Sequence, residues 1–145
     1  MKKLISVLLS VVLTLSAFSS TAYAAANNNV GGGISPMYSS SDSMSSNLSF
    51  QGKTAACVST IIMYEGEKWI SMTQTLQKEV SPGIWQAVTG ASWSITSSNN
   101  SSYYIFRNSK TVTSSGKYRI KNVFLLESSS GKRETVTFYS GTVSI

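Results

Sequence analysis

Ile70, Met72, Gln74 and Leu76 alternate with Ser71, Thr73, Thr75 and Gln77 in one unbroken stretch. A period of 2 puts each set on its own face of an extended strand, whereas a helix would scatter both sets around its circumference. The same period runs through Ala55, Cys57, Ser59, Ile61 and Met63, with Ala56, Val58, Thr60, Ile62 and Tyr64 on the opposite face. Turn residues separate the extended stretches: Glu65–Gly66–Glu67, Ser81–Pro82–Gly83, the polar run 97–102, Ser114–Ser115–Gly116, and 128–131. Further strands are expected over Ile84–Thr89, Trp93–Ile95, Tyr103–Val112, Lys117–Leu126 and Glu134–Ile145. No window of helical length shows a 3.6 period, and β-branched and aromatic residues fill the strands. About seven strands at regular spacing over about 100 residues predict an all-β, antiparallel sandwich.

One local pattern makes that sandwich immunoglobulin-like. Gly116–Lys117–Tyr118–Arg119–Ile120 places a Tyr two residues before an apolar residue. In immunoglobulin-like domains a tyrosine corner sits two residues before the second core Cys. Ile120 takes that place here, and Cys57 lies on the strand that would face it. With one Cys in the chain, hydrophobic packing is expected where the disulfide would be. A buried, inert thiol follows for Cys57, with an intermolecular disulfide as the alternative.

The N-terminus reads as an address. Met1–Lys2–Lys3 is a positive start, Leu4–Phe18 an apolar run, and Ala22–Tyr23–Ala24 a small-residue cleavage site. The run is too short for a membrane span of about 20 residues, so a secreted product cleaved near Ala24 is expected, with no transmembrane anchor in the mature form. Residues 25–46, rich in Asn, Gly and Ser, lack either period and read as a flexible, disordered tail. The domain division is thus 1–24 signal peptide, 25–46 tail and 47–145 β-sandwich.

From Ser46 to Ile145 the chain resembles small secreted proteins of Gram-positive bacteria grouped as a domain of unknown function. The likeness is carried by KTAACVST, WISMTQTLQK, IWQAV, SGKYRIK and KRETVTFYSGTVSI, most strongly by their Leu-Gln-Lys, Gly-x-Tyr-Arg and Glu-Thr-Val-Thr segments. The resemblance implies an extracellular β-sandwich and brings no activity, ligand or catalytic residue with it. Gln74, polar within an apolar alternation, stands apart and requires a buried partner or an edge position.

Composition narrows the chemistry. There is no His, so neither a Ser-His-Asp nor a Cys-His nucleophile can be built, and no His can ligate a metal. Asp and Glu together number 6 against 12 Lys and Arg. Glu65 and Glu67 flank a turn glycine and read as solvated turn residues, since glycoside hydrolysis needs two carboxylates facing across a cleft. Asp42 lacks the further carboxylates that a calcium loop requires. No catalytic residue, cofactor or metal site is expected, and the chain reads as a non-enzyme.

Two groups of side chains could recognise a ligand. Trp69, Trp85 and Trp93 could form an aromatic platform on which pyranose rings lie, if they are exposed. Lys117, Arg119 and Lys121 alternate on one strand and could contact an anion. Thr73/Thr75, Thr111/Thr113 and Thr135/Thr137 are read as ordinary exposed strand positions. No nucleic-acid module is recognised, so specific nucleic-acid binding is not expected. The expected function is an extracellular binding or cell-surface interaction module, its partner a cell-wall glycan or another surface protein. The alternative is a self-assembling envelope protein that pairs through the edge of its last strand.

Overall fold

Eight strands and no helix make up the described residues, 40–97 and 101–145, of this computed structural model. They are β1 (Ser41–Gln51), β2 (Thr54–Met63), β3 (Lys68–Ser81), β4 (Ile84–Thr96), β5 (Tyr103–Thr111), β6 (Lys117–Glu127), β7 (Arg133–Tyr139) and β8 (Val143–Ser144). Every pairing is antiparallel, in a sheet ordered β1-β2-β5 and another ordered β4-β3-β6-β7, with β8 also on β6. The buried side chains of both sheets meet in shared clusters, which is a β-sandwich. The order is immunoglobulin-like: β2 and β5 hold the places of strands B and E, β3, β6 and β7 those of C, F and G. β4 joins the second sheet as C′ does in variable-type domains.

The tyrosine corner is present. The Tyr118 hydroxyl donates to the Ser114 carbonyl four residues upstream, with the ring buried. Gly116 makes the corner possible: its φ is 146°, and a Cβ there would come within 2.7 Å of Lys78 Cε. Cys57 and Ile120 share one core cluster, as expected for a domain packed without the inter-sheet disulfide. Burial pushes the Cys57 thiol up to about 12.

A polar layer divides the core. One apolar cluster gathers Leu48, Cys57, Leu76, Tyr118 and Ile120, the other Ile61, Met72, Trp69, Phe124 and Leu126. Between them, successive inward positions on three strands read Cys57–Ser59–Ile61, Ile120–Asn122–Phe124 and Met72–Gln74–Leu76, with the polar residue always in the middle. Gln74 Nε2 donates to Ser59 Oγ at 2.7 Å, and Ser59 donates on to Asn122 Oδ1 at 2.7 Å. Asn122 Nδ2 reaches Ser46 Oγ at 2.9 Å, and Asn108 Nδ2 reaches Gln74 Oε1 at 3.0 Å. Gln74, Ser59 and Asn122 are fully buried. A buried amide without partners would oppose folding, so these five residues hold five strands at one level. The partner that Gln74 requires is this layer.

The boundaries depart from expectation at several points. Strand β1 begins at Ser41, so residues 41–46 are paired strand and not tail: their Ser-rich sequence hides inward positions such as Ser41 and Ser46. Ser40 is buried too; residues 25–39 of the expected tail, the signal peptide and residues 98–100 of the polar loop lie outside the described residues. Ile84–Thr89 and Trp93–Ile95 are one strand, β4, interrupted by a register shift against β3 and by Gly90 at φ 67°. The expected last strand is two, β7 and β8, because Ser140 turns inward: its Oγ accepts from Ile120 N at 2.8 Å. That break shortens the edge on which pairing through the last strand would depend.

Candidate functional site

The outward face of the five-stranded sheet brings the two groups of candidate residues together. Outward positions on β6 are Lys117, Arg119, Lys121, Val123, Leu125 and Glu127. Register sets Lys121 beside Thr75 and Tyr139, and Val123 beside Thr73 and Thr137. Across β3, Thr75 pairs with Ser92 and Thr73 with Ser94, each pair joined by a hydroxyl hydrogen bond of 2.9 Å. Two of the three Thr pairs therefore share this face, while Thr111 belongs to β5 in the other sheet. The result is a floor of hydroxyls with aliphatic Val123 and Leu125 on its central strand.

At one end of this floor stands a cation between two rings. The Arg119 guanidinium carbon lies 4.3 Å from the Trp85 ring centroid and 4.0 Å from that of Tyr139. Its Nε–H donates to Gln77 Oε1 at 2.9 Å. Its Nη groups make no hydrogen bond or ion pair among the described residues. Two ring contacts and the Gln77 bond restrict where the fork can point. Lys117 lies 3.5 Å from Glu79, and Lys121 has no partner among the described residues. Glu79 is held below the ordinary glutamate range, first by the Gly83 N–H at 2.8 Å and then by the charges of Lys117 and Arg119. It stays ionised, so the patch carries three cations to one carboxylate.

Of the three tryptophans expected as a platform, only Trp85 stands on this face. Trp69 is 2% exposed, its ring centroid 4.8 Å from that of Tyr104. It points inward because the register shift between Trp69 and Ser71 turns it to the core side. Trp93 is half-buried against the core cluster that contains Leu76 and Ile120. Neither can offer an open indole face, because each is consumed by packing. Lys117, Arg119 and Lys121 do share a face, as their spacing predicts. Gln77 and Tyr139 are participants that the sequence did not single out. Tyr139 has the alternation of Thr135 and Thr137 as its signal, but its place beside Lys121 depends on inter-strand register.

The opposite end of the sandwich holds an open cavity of about 620 Å³ between the β2–β3 and β6–β7 turns, lined by Glu65, Glu67, Lys68, Glu127, Ser128 and Ser129. The turn carboxylates thus border a recess, where the sequence suggested plain solvent. Glu127 bonds Lys68 at 2.7 Å and Arg133 at 2.8 Å, and these hold its carboxyl below the ordinary range. A carboxylate tied in this way is a poor proton donor.

No family model matches this chain, and no curated protein matches it significantly. Among solved structures, wild-type OgpA from Akkermansia muciniphila is similar in two crystal forms, at 12% identity and TM-scores of 0.39 and 0.38. The similarity covers 74% and 73% of this chain and 31% and 32% of those chains, so the chain spans about a third of their length.

Proposed function

We propose that this protein is a secreted, non-enzymatic binding module, and that it engages a cell-envelope or extracellular partner through the outward face of the β4-β3-β6-β7 sheet. The observation that carries this reading is the stack of Arg119 between Trp85 and Tyr139. It gathers aromatic surface and a net positive charge at one spot on an otherwise hydroxyl-lined sheet face. An open sheet face suits an extended partner better than a small substrate, which needs a concave site. The signal-peptide pattern of residues 1–24 supports the location outside the cell. Sedimentation of the chain with isolated bacterial envelopes tests the reading. Binding that weakens severalfold in Trp85→Ala and Tyr139→Ala, with the fold retained, supports it. Absence of binding to any envelope fraction, or binding indifferent to both substitutions, counts against it.

A further inference from the structure

We propose that the ligand of this face is an acidic polysaccharide whose anionic groups dock on the Nη edge of Arg119. The inference rests on the binding-module reading above and names its ligand class. An arginine on a sheet surface ordinarily samples many rotamers. Here the guanidinium lies over both the Trp85 and the Tyr139 ring, and its Nε is committed to Gln77. What remains is the pair of Nη groups, a planar fork whose geometry matches a carboxylate or sulfate in two parallel hydrogen bonds. The fork is pre-organised, so binding need not first order the side chain.

The surroundings select among anions. Lys121 on the neighbouring outward position of β6 has no counter-ion among the described residues, and Lys117 shares Glu79 with Arg119. A repeated acid along a chain can meet Arg119 and Lys121 in succession. From Arg119 the floor of Thr73, Thr75, Ser92, Ser94 and Val123 continues along the strands to Leu125, a run of about 20 Å at the ordinary rise per residue. Hydroxyls beside aliphatic side chains suit the alternating O–H and C–H surface of a sugar chain. A lipid bilayer would require a broader apolar contact than Val80 and Ile84 at the β3–β4 turn provide. A nucleic acid would require a series of rings open to stacked bases, and Trp85 and Tyr139 are both already engaged by Arg119.

The test is titration calorimetry of the full chain with polygalacturonate, dextran sulfate, neutral dextran and phosphatidylglycerol vesicles, at low and high salt. Binding to the two acidic polysaccharides, weakened by salt, and no binding to neutral dextran are expected. Arg119→Lys keeps the charge and loses the fork, and should lower affinity about tenfold. Lys121→Gln, beside Tyr139 but making no bond to the stack among the described residues, should lower it severalfold with an unchanged melting temperature. The proposal is overturned if no acidic polysaccharide binds, if neutral dextran binds equally, if only the vesicles bind, or if neither substitution alters affinity. Envelope binding that depends on Trp85 but ignores both acidic polymers would overturn this inference and leave the binding-module reading standing.

Discussion

Gln74 Nε2 donates to Ser59 Oγ at 2.7 Å, from one sheet to the other, at a level where both side chains are fully buried. The bond sits inside a layer whose five members come from five strands. Sliding any of these strands by one residue would turn its polar member outward and bring an outward-facing side chain into the core. The layer is therefore a register lock as much as a source of stability.

Gln74→Leu should cost about 1–3 kcal/mol, because half-buried Asn108 loses its Gln74 partner and buried Ser59 loses one of its donors, keeping only Asn122 and Ser46. Replacing Ser59, Gln74 and Asn122 together by apolar residues of similar size should cost less than the single change multiplied by three. Urea unfolding of the two variants checks this. A single substitution without effect would show that the layer is not closed.

Ile120→Cys should form a disulfide with Cys57. The two side chains share a core cluster and hold the positions that immunoglobulin-like domains bridge. Closing a loop of that length stabilises by about 2–4 kcal/mol. Faster migration on a non-reducing gel and a higher melting temperature, both reversed by reductant, are expected.

Trp69→Ala should destabilise by about 3–5 kcal/mol, as buried aromatic truncations do. Trp85→Ala removes a stack at the surface and should cost about 1 kcal/mol. Chemical denaturation of both variants separates core tryptophan from surface tryptophan. Equal costs would contradict the placement of Trp69.

Acid should weaken the fold through Glu79 and Glu127. Glu79 is held below the ordinary glutamate range first by the Gly83 N–H, Glu127 by Lys68 and Arg133. Each binds a proton less readily in the folded chain than in the unfolded one. Their contribution is complete above the ordinary value of about 4.3 and disappears as pH falls through the lower folded value. The melting temperature should be level from about pH 7 to about pH 5 and fall below that. Glu127→Gln should lower it at neutral pH and flatten the acid slope.

Much of this was legible in the chain. Period 2 in Ala55–Met63 and Ile70–Leu76 assigns faces within a strand because consecutive side chains of an extended backbone must oppose each other. Gly116-x-Tyr118 marks the corner because the glycine conformation and the hydroxyl bond are both local, four residues apart. The N-terminal limit of the domain was not legible, because Ser41 and Ser46 are as polar as the residues before them and become strand through pairing with β2. Nor did Trp69 reveal its burial, since the register shift at Ser71 alters which side it faces.

The sequence alone determined the all-β character, the faces of β2, of β6 and of β3 beyond its register shift, most of the turns, and the His-dependent chemistries that a chain without His cannot perform. Tertiary structure decided which strands are neighbours. Arg119, Trp85 and Tyr139 are far apart along the chain, and each looks ordinary on its own strand. They form one stack only because β4, β3, β6 and β7 lie side by side in a set register, and pairing between distant strands is a cooperative property of the whole core, written in no single stretch of sequence.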